Sequence, residues 1–118
     1  MKKLLLSALV ALLFALPAYA QSRNDATIWR PATTLTKAST STSGALSSTV
    51  SSGIFVVRVI GTADFHVAIG ITPQTATTTG SILIPAYTPE YFAVVPGQAI
   101  AVIRSTADGT VYVTEMTR

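Results

Sequence analysis

The chain has 118 residues, a formal charge of +3, no cysteine and one histidine. Without cysteine there is no disulfide framework, thiolate zinc site, iron–sulfur cluster, cysteine nucleophile or lipidated-cysteine anchor. Lys2 and Lys3 belong to a leader-like start, so removing them from the formal +3 leaves +1 on the remainder. That is too little positive charge for a phosphate-tracking stripe, and nucleic acid is not expected as the partner.

The first twenty residues read as an export signal. Lys2 and Lys3 precede an apolar run over 4–16, Pro17 breaks it, and Ala18-Tyr19-Ala20 is the small-x-small pattern accepted by a signal peptidase. We expect a cleavable signal helix over 1–20, cleavage after Ala20 and a mature start at Gln21. As a helix the apolar run spans about 20 Å against roughly 30 Å of hydrocarbon, so no permanent membrane anchor is expected. The expected location is the periplasm or the extracellular medium. The mature portion comprises 98 of the 118 residues, one small domain.

Residues 21–53 are rich in Ser, Thr and Ala and carry no helical stripe. We expect an N-terminal arm over 21–32, with Ile28 and Trp29 too apolar for pure disorder. Segments 27–36 and 45–50 are strand-compatible and are expected to pair as edge strands. From Ile54 onward the pattern changes to short apolar runs separated by turn residues. Strands are expected over 54–60, 65–71, 82–84, 90–95, 99–104 and 110–116. In the first, Phe55, Val57 and Val59 share one face and Arg58 takes the other; in the second, Phe65, Val67, Ile69 and Ile71 align opposite His66, Ala68 and Gly70. These two are expected to form a hairpin across 61–64, and the last two a hairpin across Ala107-Asp108-Gly109. Pro96-Gly97 suits a type II turn. The expectation is an all-β chain, a single antiparallel β-sandwich over 33–118, close to a jelly roll.

Little in the chain points to catalysis. With one histidine and five carboxylates, Asp64 and His66 are the pair that could resemble half of a catalytic or metal site, and His66, Asp64 and Glu90 the only plausible metal set. Asp64 suits a turn and His66 a solvent-facing strand position. Asp108 suits the final turn, and Glu115 is expected on the solvated face of its strand. The glycines fall singly at turns, with no phosphate cradle. No enzyme activity and no cofactor are expected.

The outer surface is more informative. Ser and Thr dominate its polar positions while Lys and Glu are scarce, which suits packing into a larger assembly or contact with a neutral partner such as a glycan. The candidate contact residues are Trp29, Gln74 in the polar excursion over 72–81, Tyr87, Tyr91 and Phe92. Tyr91 and Phe92 are adjacent, so one faces the core and the other faces away.

The ordered series Phe55-Val56-Val57-Arg58-Val59, Phe65-His66-Val67-Ala68-Ile69-Gly70, Thr75-Ala76-Thr77-Thr78, Ile84-Pro85-Ala86, Pro89-Glu90-Tyr91-Phe92, Pro96-Gly97-Gln98-Ala99 and Gly109-Thr110-Val111-Tyr112-Val113 resembles a family of small β-sandwich proteins. These are encoded among the virion structural genes of tailed bacteriophages. The resemblance runs from about Thr33 to Met116. It implies a non-enzymatic particle component of head-decoration or tail-associated type, and it carries over no catalytic residue. The expected function is therefore a self-associating virion or surface component, a homo-oligomer or part of an assembly. The alternative expectation is an exported module that binds glycan or cell envelope through Tyr87, Tyr91 and the 72–81 segment.

Overall fold

The computed structural model describes residues 28–118, and the signal-peptide positions, including Ala18, Ala20 and Gln21, lie outside them. The described residues form eight strands and no helix. These are β1 (Arg30–Ser39), β2 (Gly44–Ala45), β3 (Val56–Gly61), β4 (Phe65–Gly70), β5 (Ile82–Ile84), β6 (Glu90–Ala93), β7 (Ala99–Arg104) and β8 (Gly109–Thr117). They make two four-stranded antiparallel sheets, one ordered β1-β8-β3-β6 and the other β2-β7-β4-β5. The long strands are rich in Val, Ile and Thr, whose branched side chains fit a pleated surface.

One core joins the sheets in a sandwich-like arrangement. Val57 and Val59 of β3 and Val111 and Val113 of β8 share it with Phe65 and Val67 of β4, Ile84 of β5, and Ile100 and Val102 of β7. Leu46, Ile69 and Phe92 pack against its rim. Within β3, β4, β7 and β8 these core residues are spaced by two, so period two decides which row points inward, although β4 and β7 bury residues of the other row as well. Burying one such side chain contributes roughly 1.5–3 kcal/mol, which the ordering entropy of the chain largely offsets.

Neither expected hairpin forms. β3 and β4 lie in different sheets, as do β7 and β8, and each short connection turns a corner from one sheet to the other. Turn chemistry fixes where the chain reverses but not whether the flanking strands share hydrogen bonds. Here the inward rows of β3 and β4 need each other across the core, and in one hairpin they would lie on the same side with nothing opposite. The corner is held by Thr62 N–H donating to Thr110 O (3.0 Å) and Ser105 N–H to Asp64 O (3.0 Å). Nor do segments 27–36 and 45–50 pair with one another. β1 pairs along β8, with a register shift between Pro31 and Thr34, and β2 pairs with β7. β1 also starts inside the stretch expected to be an arm. Phe55 and Ile71 lie just outside β3 and β4 and are exposed rather than in the inward rows.

The polar excursion is not a free loop. Ala101 points to the outer side of the second sheet, opposite Ala68 in the register, yet it is fully buried. The 71–81 connection folds back over this side. Its Ala76 is buried and donates N–H to Ser43 Oγ (2.8 Å), beside β2 at the far edge of the sheet. The small outward residues Ala45, Ala68, Gly70 and Ala101 allow that close approach, and the Gln74 amide lies directly over Gly70, where any side chain would collide with it.

Candidate functional site

The strand directions place the corners 62–64 and 105–108 and the β5–β6 connection over 85–89 at one end; at the other lie the β2–β3 connection, the 94–98 turn, Ile28 and Trp29 just before β1, and Arg118 just after β8.

Tyr87 is the most prominent residue of the first end. It is 71% exposed with φ at +56°. Thr88 N–H donates to Pro85 O (3.3 Å), closing a turn over 85–88 in which Tyr87 holds the position that normally wants glycine or asparagine. Holding a tyrosine there costs on the order of 1–2 kcal/mol. The surroundings enforce it: Tyr87 N–H donates to Gly61 O (2.8 Å), and Ala86 N–H donates to the Asp64 carboxylate (2.8 Å). At the same end as Tyr87 stand Asp64, Glu90 and Asp108, the last paired with Arg104 at 2.6 Å, together with Lys37, which is level with Val111 and Gly61. This end is net acidic.

The opposite end is apolar and basic. Trp29, Gly53, Phe55, Thr117 and Arg118 line a cleft of about 410 Å³, with the Arg118 guanidinium 5.2 Å from the centroid of the Trp29 ring. A second cleft of about 410 Å³ is bordered by Ile71, Thr72, Val95, Pro96, Gly97 and Gln98. Ile71 is 85% exposed, and Phe55 and Val95 are more than half exposed. Arg30 opens β1 here. The only carboxylate side chain of the described residues near this end is Glu115, and it is buried; the Arg118 α-carboxylate offsets part of the positive charge.

Glu115 overturns an expectation. It is not on the solvated face of its strand but in the inward row of β8 with Val111 and Val113, and its Oε1 accepts from Ser51 N–H (3.0 Å) and Ser51 Oγ–H (2.9 Å). The carboxylate latches the β2–β3 connection onto β8. The two-residue spacing from Val113 already marked that row. His66 is likewise buried rather than solvent-facing, with Nδ1 3.2 Å from Ser81 O, because the 71–81 connection covers its side of the sheet. Asp64 and His66 serve different backbone groups, and no metal-binding cluster is found among the described residues.

The remaining candidates do not converge. Tyr91 stands on the outer face of the first sheet, in register with Arg58, which in turn faces Thr114, and Thr34 and Thr114 share a hydroxyl hydrogen bond of 2.9 Å. Phe92, its neighbour, packs against the core, so the pair divides as alternation requires. Gln74 lies over Gly70 in the covering segment, and Trp29 is at the basic end. Tyr87, Tyr91 and the 71–81 segment thus occupy three separate regions. Sequence reading missed Phe55, Val95 and Arg118; the composition of the flanking turns gave no sign that they would share one end. Compared with known proteins, the chain matches no family model, no curated protein and no solved structure.

Proposed function

We propose that the chain is a non-enzymatic structural component that self-associates in an exported surface assembly or a virion, and that its fold is a jelly roll. Supporting the fold reading, the orders β1-β8-β3-β6 and β2-β7-β4-β5 are those of two interleaved Greek keys. The observation that carries the functional reading is the set of large apolar side chains left in solvent. Phe55, Ile71, Ile82, Leu83, Tyr87, Tyr91 and Val95 are each more than half exposed on a very small domain. Such apolar area, with few charges between, favours burial against another protein surface.

The polar groups support the absence of a reaction. Asp64, Asp108 and Glu115 are each engaged in a structural hydrogen bond, and His66 lies against a backbone carbonyl. The test is the sedimentation of the native protein from periplasmic extract and culture medium on a density gradient. Co-sedimentation with particles or large assemblies supports the proposal; a light, monomeric species in every fraction refutes it.

A further inference from the structure

We propose that copies of this chain dock head to tail, the acidic end of one copy seating its Tyr87 in the Trp29–Phe55–Arg118 cleft at the basic end of the next. This inference rests on the self-association reading and specifies its geometry. Three observations carry it. The first is charge: Asp64, Glu90 and Asp108, offset by Arg104 and Lys37, stand at one end, while Arg30 and Arg118, offset by the Arg118 α-carboxylate, stand at the other, where the only described carboxylate side chain, Glu115, is buried and hydrogen-bonded to Ser51. Opposite ends of neighbouring copies attract, whereas like ends repel.

The second is the shape of the acidic end. Tyr87 projects from a turn whose backbone would be more stable with glycine, and two hydrogen bonds of 2.8 Å hold it there. A costly backbone conformation that displays an aromatic ring, left largely uncovered by the described residues, is the kind of strain retained for contact. The third is the receiving cleft, lined by Trp29 and Phe55 for ring stacking and by Arg118 for a cation–π contact with the tyrosine. An interface between two different patches is heterologous, so it repeats into a ring or an open filament instead of stopping at a dimer.

The test uses protein purified from cells expressing the full 118-residue sequence. Sedimentation velocity follows its mass against concentration and salt. Two variants each disable one end: Tyr87→Asn, which the positive φ tolerates, and Phe55→Ser at an exposed position. Each variant alone is expected to bind itself about tenfold or more weakly, with its circular dichroism and melting retained. An equimolar mixture of the two regains association but stops at a dimer, because one good interface remains. Glu90→Lys weakens association independently of Tyr87.

Wild-type association that neither variant disturbs, or a mixture of folded variants that stays monomeric, overturns the head-to-tail geometry while leaving self-association intact. A wild-type protein monomeric at every concentration overturns both. Sedimentation with vesicles of anionic phospholipid, lost in Phe55→Ser, would assign the basic end to a membrane surface and also overturn the proposal.

Discussion

The corner between β3 and β4 depends on Gly61 having no side chain. A Cβ added there would lie 2.5 and 2.6 Å from two carbons of the Phe65 ring and 3.1 Å from the Ala63 carbonyl oxygen. Carbon atoms rest about 3.5–4.0 Å apart, so the ring must retreat by roughly 1 Å. Phe65 is fully buried and has no free space to retreat into. Gly61→Ala is therefore expected to cost about 1–3 kcal/mol by overpacking, lowering Tm by roughly 5–20 °C in a domain of this size. Against a total stability on the order of 5–15 kcal/mol the variant still folds. Urea unfolding followed by circular dichroism measures it in two backgrounds, with Phe65 present and with Phe65→Leu. The smaller side chain makes room, so the second measurement is expected to show a cost lower by about 0.5 kcal/mol or more. An unchanged midpoint in the native background, or equal costs in both, would refute the packing argument.

Three further outcomes are expected of the same structure. Glu115→Ala removes a charged acceptor from two donors on Ser51 and is expected to cost about 2–3 kcal/mol, whereas Ser51→Ala, which keeps the backbone donor, costs about 1 kcal/mol; hydrogen exchange should show the β2–β3 connection opening in the first variant and hardly in the second. Gly97 closes the 95–98 turn at φ +90° with open space around it, so Gly97→Ala costs about 1 kcal/mol from backbone strain alone and Gly97→Asn less, read as urea midpoints. Asp108→Asn loses an exposed ion pair and should shift stability by under about 1 kcal/mol, less still at high salt; a larger loss in thermal melts would mean that the Arg104 contact organises the whole corner.

Much of the local structure was legible in the residues. The segments 99–104 and 82–84 are strands with those limits, and the Pro96-Gly97 turn has the expected glycine at positive φ, closed by Gln98 N–H donating to Val95 O (3.1 Å). The opposite facing of Tyr91 and Phe92, and the inward rows of Val57 with Val59 and Phe65 with Val67, also come from alternation. These are properties of a few consecutive residues, set by the period of the strand and the torsional limits of Pro and Gly.

Which strands pair was decided only by the tertiary structure. Period two shows that β3 and β4 each have one apolar side, and it is the same whether they lie side by side or face each other across a core. The choice depends on partners distant in sequence, such as β8 for both β1 and β3. That choice also buried His66 and Glu115, drew a polar segment over the outer side of a sheet, and dispersed the aromatic candidates. Composition could count the charges, but only the fold could place the acidic residues with Tyr87 at one end and Arg30 and Arg118 at the other. Position along the chain does not determine position in space until the long-range pairings have closed.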